Sequence, residues 1–502
     1  MVLYTPDSGH QLVVYPVAII AIYITTQIVY NLFFHPLRNF PGPRLWRAFR
    51  LPYVLKAVQG KLATDMLAIH EKYGPIVRVA PNELAISHES AWRDIMTGGK
   101  ELPKWAEYYK VQEPQPTYIM SAPDDEHAVI RRSLGSGFSD KSMRNMEPII
   151  QRYITKFTNC LRQKCERRQS EANGEGNTAV LDLHEWFNFL AFDLIGDLAL
   201  GKSYDCLEKG VYNPWVAPIF EVTHISAIMS SLGHYPWLKG TLLYVFRRLI
   251  ETKMRDHQGH TRTKLNARMA LQRSDLIESL VKIMSNDEQS KERLNLNASV
   301  LVVAGAETSA TTLSAVTYFL LSNPSKMSKL LAEIRSTFKN EEDITIATVS
   351  RLEYMLACLD EAMRLFPPVA IGLPRVVPNG GRSISGFFIP EQTHVAIWHW
   401  ALYRDPGQFT KPSSFCPERF MGDPEFSSDN LDAFQPFHLG KRSCVGRPLA
   451  YVEMRLILAR LLFNFDLRLE DESRDWISRS VPYNIWWKPP LRVSISIRQS
   501  DV

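Results

Sequence analysis

From Gln11 to Phe34 the chain carries no charged side chain, and this stretch, QLVVYPVAIIAIYITTQIVYNLFF, constrains the fold more than any other feature. As a helix it is long enough to cross a hydrocarbon core of roughly 30 Å. It reads as a single membrane anchor. A cleaved signal peptide, a buried core helix and a helix that only dips into the bilayer compete with that reading. No Lys or Arg precedes the stretch and no small-residue cleavage site follows it, which weighs against cleavage. Basic residues begin only afterwards, at Arg38, Arg44, Arg47 and Arg50, so the positive-inside rule places everything downstream in the cytoplasm. Pro16 lies near the helix start, where a kink does not prevent insertion.

In the segment His35-Pro36-Leu37-Arg38-Asn39-Phe40-Pro41-Gly42-Pro43, three prolines and a glycine stop the helix. The expected organisation is an anchor over 1–34, a stiff Pro-rich hinge over 35–50 and a folded body over 51–502. A chain of 502 residues, 45% hydrophobic, has room for one very large core or for two domains. Its 11% aromatic and 22% charged content excludes disorder, coiled coil and collagen as descriptions of the whole. The net charge of +5 is small and no run of five or six like charges occurs, so no nucleic-acid partner is expected. Six cysteines, Cys160, Cys165, Cys206, Cys358, Cys416 and Cys444, are scattered without a CxxC pair. That pattern argues against a zinc ribbon, an iron–sulfur centre and a disulfide framework, and for reduced thiols.

β-Branched residues bounded by Pro75 and Pro81-Asn82 predict strands at Ile76–Ala80 and Glu83–Ile86. Apolar periodicity predicts long helices over Leu181–Leu200, Asn297–Leu321 and Pro448–Phe463. The polar segments Arg168–Asn177 and Ser285–Glu292 read as surface loops rather than domain linkers. Beyond Pro367 the texture turns to Pro, Gly and β-branched residues through Phe388. Without an internal repeat, the expected architecture is a single, mainly helical body with small peripheral sheets.

Near the carboxyl end stands Phe437-His438-Leu439-Gly440-Lys441-Arg442-Ser443-Cys444-Val445-Gly446. A thiolate bound to iron needs close backbone approach and N–H groups that tune the sulfur, and Gly440 and Gly446 suit that need because they lack a Cβ and tolerate positive φ. Arg442 offers a fork of donors for a carboxylate, and Phe437 an apolar face. A lone buried cysteine is usually structural. Here all specified positions of F-x-x-G-x-R-x-C-x-G are met, and the segment resembles the haem-binding signature of the cytochrome P450 family. That resemblance implies a mainly α P450 fold with Cys444 as axial ligand of haem b iron, Arg442 on a propionate, and 51–502 as the haem-binding catalytic domain.

The pair Glu361/Arg364 is spaced to share one helix face, which by itself usually marks a surface ion pair. It precedes Pro367-Pro368 and Pro417-Glu418-Arg419-Phe420, in the order the family shows. The resemblance therefore implies a buried structural network of Glu361, Arg364 and Arg419. Ala304-Gly305-Ala306-Glu307-Thr308-Ser309 interrupts an apolar helix with a glycine that costs about 1 kcal/mol relative to alanine. The glycine reads either as a close helix contact or as room for a diatomic molecule. The segment is similar to the family's A/G-G-x-D/E-T-T/S, which implies that Thr308 holds activated dioxygen and Glu307 delivers protons.

For the family's W-x-x-x-R, the nearest match is His127-Ala128-Val129-Ile130-Arg131, with histidine in place of tryptophan. His127 and Arg131 are thus candidate propionate ligands, with Arg132 as rival to Arg131, and Arg375 corresponds to a strand residue at the other propionate. HPLRNFPGP and LPRVVPNGG resemble membrane-bound fungal members, many of which tailor secondary metabolites. The resemblance implies a monooxygenase in the endoplasmic reticulum membrane that uses O2, with electrons from NADPH through a cytochrome P450 reductase. Lys441, Arg442, Arg447 and Arg455 offer a basic docking face. Val369-Ala370-Ile371-Gly372, the loop around Tyr108–Tyr118 and the turn near Val481 are expected to line a pocket for a hydrophobic small molecule, delivered from membrane lipid. Two other readings remain open: a haem-thiolate isomerase or dehydratase needing no reductase, and a non-catalytic haem- or sterol-binding membrane protein.

Overall fold

The computed structural model describes residues 8–97, 101–109, 116–171, 178–216, 225, 227–245, 259, 261–271, 273–283 and 287–499. Its first element, α1 (Ser8–Val29), runs through Pro16 and ends in a π-helical turn, Tyr30–Phe34. From Val14 onward most of its apolar side chains project outward, Ile19 and Ile22 each being 66% exposed. A contiguous apolar surface of this size needs a non-aqueous environment. The chain that follows is stitched to the body. Arg78 donates through Nη1 to Asn31 O at 2.7 Å, and Asn31 Nδ2 donates to Ala48 O at 2.9 Å. Leu37 is fully buried. Gly42 passes so close to the backbone that a Cβ would stand 2.2 Å from Arg78 O. The Pro-rich segment therefore lies against the sheet, and its stiffness comes from packing as well as from proline.

That sheet contains β1 (Ile76–Ala80) and β2 (Glu83–Ile86), matching the strands expected from sequence. Farther along come α2 (Asp124–Gly137), α3 (Asp140–Glu171), β3 (Thr178–Asp182) and α4 (Leu183–Leu200). Arg168–Glu171 continues α3 instead of starting a loop, and 172–177 lie outside the described residues. The Asp182 side chain caps α4 by accepting from His184 N at 3.1 Å, and Gly201 ends it at φ +70. Because α4 is apolar on all sides, it is buried on all sides.

Against α4 packs α5 (Glu288–Ser322), the longest helix described. It begins nine residues before the expected Asn297, since the Asp287 side chain caps it by accepting from Ser290 N at 2.9 Å. The charged segment up to Glu292 is thus its first turns, with 285–286 outside the described residues. Next are α6 (Glu353–Leu365), β4 (Arg375–Val376), β5 (His394–Ile397), α7 (Arg447–Asn464), β6 (Phe465–Leu469) and β7 (Arg492–Ile497). The first sheet has the order β1-β2-β5-β4, with β2 and β5 parallel and the other pairs antiparallel. A second, antiparallel sheet has the order β3-β7-β6. Helices form the mass of the molecule and the small sheets sit at its margins.

Candidate active site

Cys444 stands on the loop that enters α7. Its N–H donates to Phe437 O at 2.8 Å and Ser443 N to Gly440 O at 3.2 Å, which folds the loop back on itself. Gly440 has φ +76, and a Cβ there would stand 2.1 Å from Met96 O, so both conformation and space require glycine. Gly446 differs, with φ −81; a Cβ there would rest in ordinary contact, 3.8 Å from Cys444 Sγ, so neither conformation nor space requires glycine. His438 takes a left-handed φ of +58, a conformation histidine adopts more readily than most side chains. Cys444 is exposed as a residue, with protein packed around the base of its side chain. Burial pushes the thiol above its ordinary value, while the Gly446 and Arg447 N–H groups and the Arg131 and Arg447 cations pull it down. Phe437 packs on Tyr451 with ring centroids 5.2 Å apart.

Arg131, from α2, clamps this loop: Nη1 donates to Ser443 O and Nη2 to Ser443 Oγ at 3.1 Å. Its rival Arg132 is exposed. Arg442 turns inward, donating to Ala122 O at 2.9 Å and Asp124 Oδ1 at 2.8 Å, so it is not part of a docking face; Lys441 and Arg447 remain exposed and Arg455 half-buried. Arg375 is buried, pairing with Glu101 at 2.7 Å and donating to Leu102 O at 2.8 Å. Lys104, which sequence reasoning did not single out, bridges to Arg375 and lies 4.4 Å over the Tyr109 ring. Burial and then the neighbouring Arg442 and Arg375 bring its ammonium down to about 7. His127 is lowered to about 4 by burial, then by Arg442 and Lys104. Arg442 Nη1, Arg375 Nε, Tyr109 OH and His438 Nε2 are all buried without a partner. Cationic donors thus gather beyond what nearby carboxylates satisfy, which fits a ligand bearing two carboxylates.

On α5, Ala304 is exposed and Thr308 half-buried in the middle of an otherwise enclosed helix. Thr308 Oγ1 donates to Ala304 O at 2.7 Å. Glu307, one position earlier, points elsewhere, into an ion pair with the buried Lys488. A Cβ on Gly305 would meet Ile195 Cδ1 at 3.0 Å, which favours the close-contact reading of that glycine. Lys488 was invisible to sequence reasoning because the pair spans 181 positions.

Beneath the loop, Glu361 receives Arg364 Nε and Nη2 at 2.7 and 2.8 Å, Arg419 Nε at 3.0 Å and Cys416 N at 2.9 Å. All three charged side chains are wholly buried. The segments expected to line a pocket also meet: Tyr108, Ile371, Gly372, Pro482 and Tyr483 border one small cavity. Tyr108 OH donates to Asn484 Oδ1 at 2.9 Å across it. Residues 110–115 of the expected lining lie outside the described residues.

Among the described residues no three His, Cys, Asp or Glu gather to hold a metal. The Cys444 thiol beside these surplus cations suits a macrocycle-bound metal that would take the thiolate as ligand and place its carboxylates on the cations. This is the donor set of a haem-thiolate enzyme. Comparison with known proteins agrees: the Cytochrome P450 family model matches residues 40–493. The cytochrome P450 monooxygenase tpeC of Talaromyces stipitatus is 40% identical over 96% of this chain and 94% of its own. The cytochrome P450 monooxygenase prhB of Penicillium brasilianum is 39% identical, over 96% and 97%. The trichothecene C-15 hydroxylase of Fusarium sporotrichioides is 40% identical, over 94% and 95%. The chain belongs to the cytochrome P450 family and is a monooxygenase, an oxidoreductase that uses haem iron, O2, a small-molecule substrate and a redox partner.

Proposed function

We propose that this enzyme oxidises a hydrophobic small molecule of fungal secondary metabolism, with electrons passed from NADPH through a cytochrome P450 reductase at the endoplasmic reticulum membrane. The observation that carries the site assignment is the pairing of Cys444, flanked by the Gly446 and Arg447 N–H groups, with unpartnered donors on Arg442, Arg375 and Tyr109. Cys444 would hold the haem iron through its thiolate. Arg442, Arg375, His127 and the added residues Lys104 and Tyr109 hold the two propionates, while Arg131 clamps the ligand loop through Ser443. Gly440 lets the loop backbone approach closely, Gly446 leaves the side of the sulfur open, and Phe437 would pack against the bound group. When bound, thiolate-ligated haem supplies two-electron activation of dioxygen, one oxygen atom going to the substrate and the other to water.

The remaining chemistry belongs to side chains of this chain. Thr308 presents its hydroxyl on the open side of α5 and orients a proton donor there; Glu307 supplies protons to that hydroxyl. The segments that carry Tyr108, Ile371 and Tyr483 supply apolar lining for a hydrophobic substrate. Lys441, Arg447 and Arg455 present the basic face to the reductase. Residues 1–34 anchor the chain, 35–50 connect and 51–502 carry the chemistry; lipid delivers the substrate.

Thr308→Ala tests this assignment. The variant is expected to keep haem and to consume NADPH, while product per NADPH falls about tenfold or more and hydrogen peroxide takes its place. Fully coupled turnover by Thr308→Ala contradicts the role given to Thr308.

A further inference from the structure

One turn into α7, Tyr451 stands where side chains from α6, the cysteine loop and α7 itself converge. Its hydroxyl donates to Asp360 Oδ1 on α6 at 2.7 Å. Its ring packs on Phe437, with ring centroids 5.2 Å apart. Arg447 and Arg455, one turn before it and one turn after, share its face of α7, because residues four apart are neighbours on a helix surface. Arg455 stands over the Tyr451 ring at 5.5 Å, and Arg447 stands 5.9 Å from the centroids of both the Tyr451 and the Phe437 rings. A guanidinium at these distances is attracted to the face of an aromatic ring.

Phe437 and Arg447 are the members of this group that reach Cys444. Phe437 O accepts the Cys444 N–H at 2.8 Å, so one residue carries both the ring that packs on Tyr451 and the carbonyl that holds the cysteine backbone. Burial raises the Cys444 thiol, and Arg447 is among the groups that lower it, through its N–H and through its charge. Arg447 is exposed, so without an aromatic face to rest on, its long side chain regains its rotamers and its charge spends less time beside the sulfur. Asp360 gives the arrangement a fixed point. Burial pushes its carboxyl up to about 6, against the Tyr451 hydroxyl and then the Arg455 and Arg447 charges, which favour the carboxylate. The next residue, Glu361, is the one that holds the buried Arg364 and Arg419.

We propose that Tyr451 is a positioning residue for Cys444: its ring, tied to α6 by the bond to Asp360, holds the Arg447 guanidinium and the Phe437 ring against the cysteine loop. This rests on the reading of Cys444 as the residue that holds haem iron. A cation kept near the sulfur favours the reduced state of a bound metal, because it stabilises the added electron.

The test measures the haem reduction potential at low ionic strength, where the exposed guanidinium is least screened, in wild type, Tyr451→Phe, Tyr451→Leu, Arg447→Gln and Tyr451→Leu/Arg447→Gln. Tyr451→Leu is expected to make reduction about fivefold less favourable, a fall of about 40 mV at roughly 59 mV per tenfold. Tyr451→Phe keeps the ring and loses the bond to Asp360, and is expected to lie between wild type and Tyr451→Leu. Once Arg447→Gln is present, adding Tyr451→Leu is expected to change the equilibrium by less than about twofold, since the charge that the ring positions is already gone. The same loss with and without Arg447→Gln, or equal potentials in wild type, Tyr451→Phe and Tyr451→Leu, overturns the proposal. Should Tyr451→Leu fail to fold or to retain haem, Tyr451→Phe takes its place in the same cycle, and a loss that persists with Arg447→Gln then overturns it. If the carbon monoxide complex of reduced wild type lacks the thiolate-type absorption, the assignment of Cys444 itself fails; if that absorption is present and the potentials are equal, only the role of Tyr451 fails.

Discussion

Glu453 on α7 is 4% exposed and receives the Ser309 hydroxyl, and burial raises its carboxyl to about 8. The folded protein therefore holds a proton that the unfolded chain has released between about 4.5 and 8. Stability contributed by this group declines as pH rises through that window and is flat above it. Glu453→Gln, which keeps the shape without the ionisation, is expected to match wild type near pH 5 and to melt at a higher temperature near pH 8.5. Equal melting temperatures at both pH values would contradict the buried, protonated state. At this scale the sequence was uneven in what it disclosed. Cys444, Arg442 and Thr308 stand in short motifs that advertise their chemistry. Lys104, Tyr109 and Lys488 have no local pattern, because their partners come from distant segments brought together only by the fold.

The element scale turns on Glu361 of α6, whose carboxylate joins α6 to the segment containing Cys416 and Arg419. Arg364 extends the joint by donating to Tyr403 O at 2.6 Å and Pro412 O at 2.7 Å. Glu361→Gln leaves the buried Arg364 guanidinium without a carboxylate and Arg419 with Asp429 alone, and is expected to lower stability by about 3–5 kcal/mol in chemical denaturation. A loss below about 1 kcal/mol would show that backbone carbonyls and Asp429 compensate the two arginines. Apolar periodicity located the centres of α4, α5 and α7 but missed the start of α5. The first turns of α5 are polar, and they are helical because Asp287 caps them and Glu292 pairs with Arg262. Ion pairs and caps of this kind leave no apolar stripe to read.

At the scale of the molecule, two helices among the described residues are long and apolar enough to cross a membrane, and their surroundings separate them. The span beginning at Val14 is 6% buried, while α5 is 72% buried and forms the core against α4. Composition alone leaves these two equivalent, and position plus flanking charge made the distinction legible in advance. The sequence did not disclose that the Pro-rich segment lies on the sheet, held by Arg78 and Leu37, because proline predicts only where a helix stops. The account of the whole molecule rests on one cysteine, Cys444, on the loop that enters α7. The most direct test of that account is the absorption spectrum of the reduced protein with carbon monoxide, in wild type and in Cys444→Ser. The account predicts a strongly red-shifted Soret band in wild type that is lost in Cys444→Ser. A histidine-like band in wild type, or a red-shifted band that survives the substitution, would contradict it.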